Sequence, residues 1–232
     1  MFLIDYPSAT LINYSADPLQ LVATSAWAST GLSAEDLETI PVESRLSAVF
    51  GAEESARLRS PEKLIEFLAE HGHLSPFRHV TLTYLIQSDI ATHIQLLKHR
   101  IGFEINSESA RYKRLQEEYY VPTDLPENVQ QRVIKHCEQS HQLYQEIYQE
   151  LINVGYSKQR AKEASRFVLP YSKCLRVVAT CSLQALGHFY HLRSAEFAQR
   201  EIQMLALQMV ETLKDIPHGE IFQTLIREGK LV

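Results

Sequence analysis

The stretch from Lys98 to Arg114, KHRIGFEINSESARYKR, crowds cations, an amide, hydroxyls and acids around Gly102. Such a mixture can wrap an anionic ligand that also offers hydrogen bonds. Arginine presents a planar fork to a phosphate and lysine a point charge, while Asn and Ser orient the polar edges of a ring. A solvated helix end with dipole-favourable cations has the same composition, and on composition alone the two readings weigh equally.

Two further groups are weaker alone. Glu163 and Arg166 lie one helical turn apart before Val168-Leu169-Pro170, where a plain i,i+3 ion pair is the simpler reading. Gln184 and His188 share a helical face and Arg193 follows them. A helical histidine is more often structural, and an arginine at a helix C-terminus is favourable without any ligand. His71, His73 and His79 do not have the spacing of a metal-binding helix face and lack an acidic partner, so no metal site is expected. Ser109 lacks a nucleophile-elbow context. Cys137, Cys174 and Cys181 form no C-x-x-C pair and have no activating neighbours. There is no P-loop and no G-x-G-x-x-G.

The elements that must position these groups can be read from pattern. Ala9–Ser15 reads as a strand and Leu19–Ser29 as a helix; Ser33 with Asp36 reads as a capping box. Ser60-Pro61-Glu62 starts a helix that His71-Gly72 ends. His79–Gln87 alternates, with Val80, Leu82, Tyr84 and Ile86 on the inner face. Ser88-Asp89 caps a helix whose buried stripe is expected to be Ile90, Ile94, Leu97 and Ile101, leaving Gln95, Lys98 and His99 to point elsewhere. Asp124 with Glu127 reads as the capping box of a long helix to Asn153, buried along Val129, Val133, Cys137, Tyr144, Ile147, Tyr148 and Leu151. Ser157–Val168 is a shorter helix, Leu175–Cys181 a strand and Ser182–Leu192 a helix. Ala195–Ile216 is a long helix with Phe197, Ile202, Leu205, Met209 and Leu213 inward, and a last helix spans His218–Gly229. The whole is helix-rich with few strands, hence α+β or mixed α/β.

At 232 residues, with scattered glycines and prolines and no repeat, the chain reads as one domain over 1–232. A net charge of −5 argues against a general nucleic-acid binder. Apolar runs are too short to span a bilayer, and the N-terminus lacks signal-peptide features. Low cysteine use fits a reducing cytoplasm.

Taken together the clusters resemble the flavin-dependent thymidylate synthases. KHRIGFEINSESARY (Lys98–Tyr112) is similar to that family's R-H-R…S signature, HLSPFRH (His73–His79) to its H-x-[ST]-P-F-x-H box, Glu163-x-x-Arg166-x-x-Leu169-Pro170 to its E-x-x-R-x-x-L-P, and SLQALGHFYHLR (Ser182–Arg193) to its serine-led helix. The boxes occur in the family's order and spacing. The chain departs from the pattern in places. Lys98 replaces the first signature arginine, keeping charge and giving up the fork. Eight residues rather than seven separate Arg100 from Ser109, so that either Ser107 or Glu108 takes the family's glutamate place, Glu108 being favoured by its chemistry. Ser182, Gln184 and His188 stand where relatives commonly have Asn, Arg and Asn, and Arg78 where an acid is common.

The resemblance implies reductive methylation of dUMP to dTMP, with methylenetetrahydrofolate as carbon donor and NADPH-reduced FAD as reductant. It implies a central antiparallel sheet and a homotetramer whose active sites draw on several chains. By resemblance Arg193 faces the uracil and is the catalytic residue. Gln95, Lys98, Glu108, Ser109, Ala110, Arg111 and Arg166 match nucleotide-binding positions, with Arg111 and Arg166 at the phosphate. Ser75, His99, Arg100, Asn106, Ser182, Gln184 and His188 match flavin contacts, joined by Lys98 and Glu108. His73 matches a histidine near flavin and folate, and Ser29 is a weaker flavin candidate. Two other readings remain: a flavin-free nucleotide- or RNA-binding protein, which the scarcity of aromatics in the Lys98–Arg114 patch disfavours, and a flavin- and folate-dependent methyltransferase with another nucleotide substrate.

Overall fold

The computed structural model describes residues 2–27, 60–109 and 111–232. In chain order these form β1 (Phe2–Ile4), β2 (Ser8–Tyr14), α1 (Pro18–Trp27), α2 (Pro61–Glu70), β3 (Thr81–Asp89), α3 (Ile90–Leu96), β4 (Phe103–Ser107), β5 (Glu118–Tyr120), α4 (Glu127–Asn153), α5 (Lys158–Ser165), β6 (Cys174–Ser182), α6 (Leu183–Arg193), α7 (Arg200–Glu211) and α8 (Gly219–Arg227). The fold is mixed α/β. The expected Ser33–Asp36 capping box and Ser29 lie outside the described residues.

Four of the helix starts follow directly from side-chain capping. Ser60 Oγ accepts the Lys63 N–H at 3.4 Å, with Pro61 at the first helical position. Asp89 accepts from Thr92 N at 3.0 Å, Ser157 from Arg160 N at 3.2 Å and Ser182 from Ala185 N at 3.2 Å. Each bond satisfies one of the amides that a helix start leaves without an internal partner.

The larger sheet has the order β2-β3-β6-β4. Gly102 accepts from Ser182 N just before β4, whereas Glu108 N donates to Arg176 O just after it. β4 and β6 therefore run antiparallel. Leu183 N reaches Val80 O where β6 ends and β3 is about to begin, and the Thr83 and Thr180 hydroxyls meet at 3.0 Å, so β3 and β6 are antiparallel too. A second, two-stranded sheet pairs β1 with β5 in parallel, Leu3 opposite Tyr119.

The chain divides into two compact units. One comprises Met1–Ala9, Leu85–Lys98 and Ile105–Val178, the other Thr10–Tyr84, His99–Glu104 and Ala179–Val232. In the second unit the inner face of β3 is buried as its alternation predicts, and Tyr84 donates its hydroxyl to Met209 O at 3.0 Å. Leu183, Leu186 and Phe189 of α6, Ile202, Leu205 and Met209 of α7, and Phe222 and Ile226 of α8 complete that core. In the first unit Cys137 and Tyr144 of α4 are buried on the face read from sequence, with Ser140 and His141 alongside.

Three local expectations are corrected. α3 ends at Leu96, and its buried line is Thr92, His93 and Leu96; Ile94 and Leu97 are exposed and Ile101 is 94% exposed. Polar side chains occupy the inner face with partners for Thr92 and for His93 Nε2, while His93 Nδ1 has none among the described residues. Thr92 Oγ1 donates to Asp89 at 2.6 Å, and the His93 ring meets the Ser107 hydroxyl at 3.0 Å. The long helix does not start on an Asp124 box. It begins at Glu127 behind Pro126, because a residue preceding proline is steered out of helical geometry. Gln130 takes over the bridging role, donating to the Thr123 and Leu125 carbonyls. Finally, α7 starts only at Arg200. Residues 195–199 turn, with Gln203 donating to Ala195 O at 2.6 Å, and Phe197 is 89% exposed rather than inward.

Gly187 marks the closest approach in the α6 packing. A Cβ there would stand 2.6 Å from Leu231 O and 2.8 Å from Leu231 Cβ. Gly187→Ala is expected to destabilise by ~1–3 kcal/mol through overpacking, beyond the ~1 kcal/mol gained in helix propensity. A thermal midpoint equal to or above that of the wild type would contradict this close contact.

Candidate functional site

α6 carries most of the chemistry of the second unit. Ser182 caps it, Gln184 and His188 lie four residues apart on one side, and Arg193 is its last residue. His99 lies on the turn that leads into β4. Its ring stands edge-on to the buried Phe189, with centroids 4.8 Å apart and planes at 87°, and is tilted against Phe103. Arg193 Nε donates to His99 Nε2 at 2.8 Å. A guanidinium has no acceptor atom, so Nε2 must carry the lone pair and the ring proton sits on Nδ1. Burial pushes His99 down to about 4, and the nearby charges of Arg193 and His188 add to the shift.

This shift has a consequence for stability. Unfolded, His99 titrates at its ordinary value near 6.5; folded, it titrates near 4. Between these values the unfolded chain holds the extra proton, so stability rises with pH and is lost as pH falls through that window. His99→Phe is expected to flatten the fall of the thermal midpoint between about pH 6.5 and 4. An unaltered slope would contradict it.

In the sequence Arg78 is only a departure from a family pattern. Its Nε donates to Gln184 Oε1 at 2.5 Å, which fixes the amide of a predicted flavin contact. Gly102, at φ +72, is what lets the His99 turn press onto the start of α6, where a Cβ would meet Ala185 Cβ at 2.7 Å and Ser182 Oγ at 3.3 Å. His73 and Ser75 are exposed on the segment after α2, with His73 N bonded to Leu68 O. Arg100 is exposed on the His99 turn.

The first unit holds the second group. Glu108 accepts from Lys113 Nζ at 2.6 Å and from Arg176 N at 3.1 Å. Burial works to raise its pKa, but these donors and the charges of Lys113 and Arg176 outweigh it, and the carboxyl lies below its ordinary value. Arg176, a strand residue that no motif marks, also donates to Glu118 at 2.8 Å and Gln116 at 3.2 Å. With Ser109, Tyr112 and Lys113, Glu108 and Arg176 line a cavity of about 350 Å³. Arg111 Nε donates to Glu163 Oε1 at 2.9 Å, and Lys162 Nζ to Tyr112 O at 2.9 Å, so α5 braces this loop twice. Arg166 is exposed on the turn that follows α5. Gln95 is half-buried on α3, Lys98 is exposed just beyond it, and Asn106 is exposed on β4. Ala110 lies outside the described residues.

Three arginines are thus held through Nε: Arg78 by Gln184, Arg111 by Glu163 and Arg193 by His99. Among the described residues this leaves the terminal nitrogens of each fork for another acceptor. The arrangement suits anion and imide recognition. Nucleophilic thiol chemistry has no support. All three cysteines are buried, burial pushes Cys174 up to about 12, and Cys137 and Cys181 shift in the same direction. Among the described residues no cluster of potential ligands could hold a metal, and no helix is long and apolar enough to cross a membrane.

The model of the family described as thymidylate synthase complementing protein matches residues 10–217. A flavin-dependent thymidylate synthase of Thermotoga neapolitana is 32% identical over 183 residues, which cover 73% of this chain and 81% of that protein. One of Thermococcus onnurineus is 30% identical over 230 residues, 95% of this chain and 83% of the relative. Among solved structures, the UMP/dUMP methylase PolB of Streptomyces cacaoi bound with 5-Br dUMP superposes with a TM-score of 0.72 at 25% identity, over 100% of this chain and 99% of that one. The same methylase bound with 5-Br UMP gives a TM-score of 0.72 at 26% identity. The four sequence boxes, the antiparallel sheet and these matches agree, and the chain belongs to the flavin-dependent thymidylate synthase family.

Proposed function

We propose that this protein converts dUMP to dTMP, taking the carbon from methylenetetrahydrofolate and the reducing equivalents from FAD reduced by NADPH. The observation that carries the reading is Arg193, anchored at Nε with its terminal nitrogens bonded to nothing among the described residues. A fork held in that way can meet the imide edge of a uracil. It stays charged at any working pH and stabilises negative charge as it develops on the ring.

The remaining roles follow from the resemblance, and the donor sets suit them. Arg166 and Arg111 take the phosphate, and Gln95, Lys98, Glu108 and Ser109 line the rest of the nucleotide. Ser182, Gln184, His188, His99, Arg100, Asn106 and Ser75 would hold the flavin, together with Lys98 and Glu108, and His73 lies towards flavin and folate. The fit is chemical: an amide fixed by Arg78, an imidazole, a capping hydroxyl and guanidinium groups offer the donors that a flavin's pyrimidine edge accepts. When bound, FAD supplies the hydride chemistry that no side chain of this chain can perform. Self-association into a homotetramer, which the resemblance implies, is part of the same reading. The cytoplasm is the compartment such a pathway enzyme would occupy.

A second reading has one specific support. The solved neighbour is titled a methylase of UMP as well as dUMP, so a ribonucleotide is the alternative substrate. The visible spectrum of the FAD-loaded protein, titrated with dUMP and then UMP, tests both. A flavin spectrum perturbed by dUMP supports the synthase. Perturbation by UMP with competitive methylation would move the ribonucleotide forward. Protein that refuses FAD would reject the flavoenzyme reading and favour a plain nucleotide binder.

A further inference from the structure

Arg193 can act on a uracil only if its fork is held still, and among the described residues the atoms that hold it belong to one side chain. The contact to His99 uses Nε, the single guanidinium nitrogen that does not belong to the terminal pair. An acceptor at a terminal nitrogen would turn the fork and consume one of its donors. The acceptor is an aromatic ring with little freedom. It stands edge-on to Phe189, which is fully buried, and is tilted against Phe103, which is 5% exposed. The turn carrying His99 is in turn seated on α6 through Gly102. Burial against Phe189 and Phe103 disfavours a second proton on the ring, and Arg193 and His188 beside it act in the same direction. Its lone pair therefore stays directed at Arg193.

We propose that His99 is the positioning residue of Arg193: its neutral imidazole holds Nε and aims both terminal nitrogens at the substrate ring. The inference rests on the reading of Arg193 given above. It assigns to His99 a duty distinct from flavin contact, one exerted through another side chain.

The test uses the FAD-loaded enzyme. His99→Phe keeps an aromatic ring and removes the acceptor; His99→Gln supplies an amide oxygen in its place. The expected result for His99→Phe is a kcat lowered by roughly 10–100-fold, because a misaimed donor loses transition-state stabilisation. At saturating FAD, which separates any loss of the flavin contact assigned to His99 from the effect on Arg193, dUMP affinity should stay within about a factor of three. His99→Gln should recover most of the rate. Wild-type kcat in His99→Phe would overturn the proposal. So would equal damage in both variants, or a loss that tracks FAD release. A readout independent of turnover is the nitrogen NMR of labelled histidine. In the wild type the His99 ring is neutral with its proton on Nδ1 at pH 7, and in Arg193→Ala its titration moves upward. A ring unmoved by Arg193→Ala would overturn the contact. Failure of the underlying reading is distinguishable: there Arg193→Ala itself keeps its activity, whereas failure of this inference leaves Arg193→Ala inactive and His99→Phe normal.

Discussion

Arg193→Ala is expected to lose thymidylate formation by roughly three orders of magnitude or more while keeping its fold. Removing one preorganised donor from a developing negative charge costs ~10²–10³ in kcat, and this substitution removes a charged pair of terminal donors. The loss should fall on kcat rather than on dUMP affinity, since the ring charge exists only as the reaction proceeds. The fold should persist for local reasons. Arg193 is half-buried at the last residue of α6, where its helix-dipole contribution is ~0.3–1 kcal/mol. His99 Nε2 loses its donor, at a further cost of ~1–3 kcal/mol. Circular dichroism and FAD content should therefore resemble the wild type, with a modestly lower thermal midpoint. Near-normal turnover in this folded variant would reject the role assigned to Arg193.

What the sequence revealed and what it hid divide along a physical line. Hydrophobic alternation finds β3, two residues early, because Leu82, Tyr84 and Ile86 on its inner face and Val80 just before it are apolar and fully buried. Capping read well at Ser60 and Asp89 because that chemistry is local. The same logic failed where partners lie outside the window. Thr92 is buried because Asp89 satisfies it, and His93 is buried with Ser107 at Nε2 while its Nδ1 has no hydrogen-bond partner among the described residues, so hydrophobicity points to the wrong face of α3. Asp124 had the spacing of a cap, but Pro126 set the helix start. At the site, residue types and order brought forward His99, Gln184 and Arg193. Their pairing did not follow from spacing. The bond between Arg193 and His99 spans 94 positions and that between Arg78 and Gln184 spans 106. Arg176 had no motif at all, and only the antiparallel register of β4 and β6 brings its amide to Glu108.

Arg166→Ala is expected to weaken dUMP binding by roughly 10–100-fold, the equivalent of one charge-assisted contact of ~1.5–3 kcal/mol. The position suits a phosphate. α5 gives way to a tighter turn at Arg166, and Leu169 before Pro170 is held extended, so the side chain leaves the helix end exposed. Since the phosphate is remote from the reacting carbon, the effect should be on KM, with kcat at saturating dUMP little changed. The deficit should also depend on salt, because screening weakens the wild-type attraction more than the variant's. Deoxyuridine provides the internal control. Lacking the phosphate, it should bind wild type and Arg166→Ala equally, which separates loss of a phosphate contact from general damage to the loop that Arg111 and Lys162 brace. Unchanged dUMP affinity would remove Arg166 from the nucleotide site. An equal loss for dUMP and deoxyuridine would mean that the residue supports the shape of the site and leaves the phosphate to Arg111.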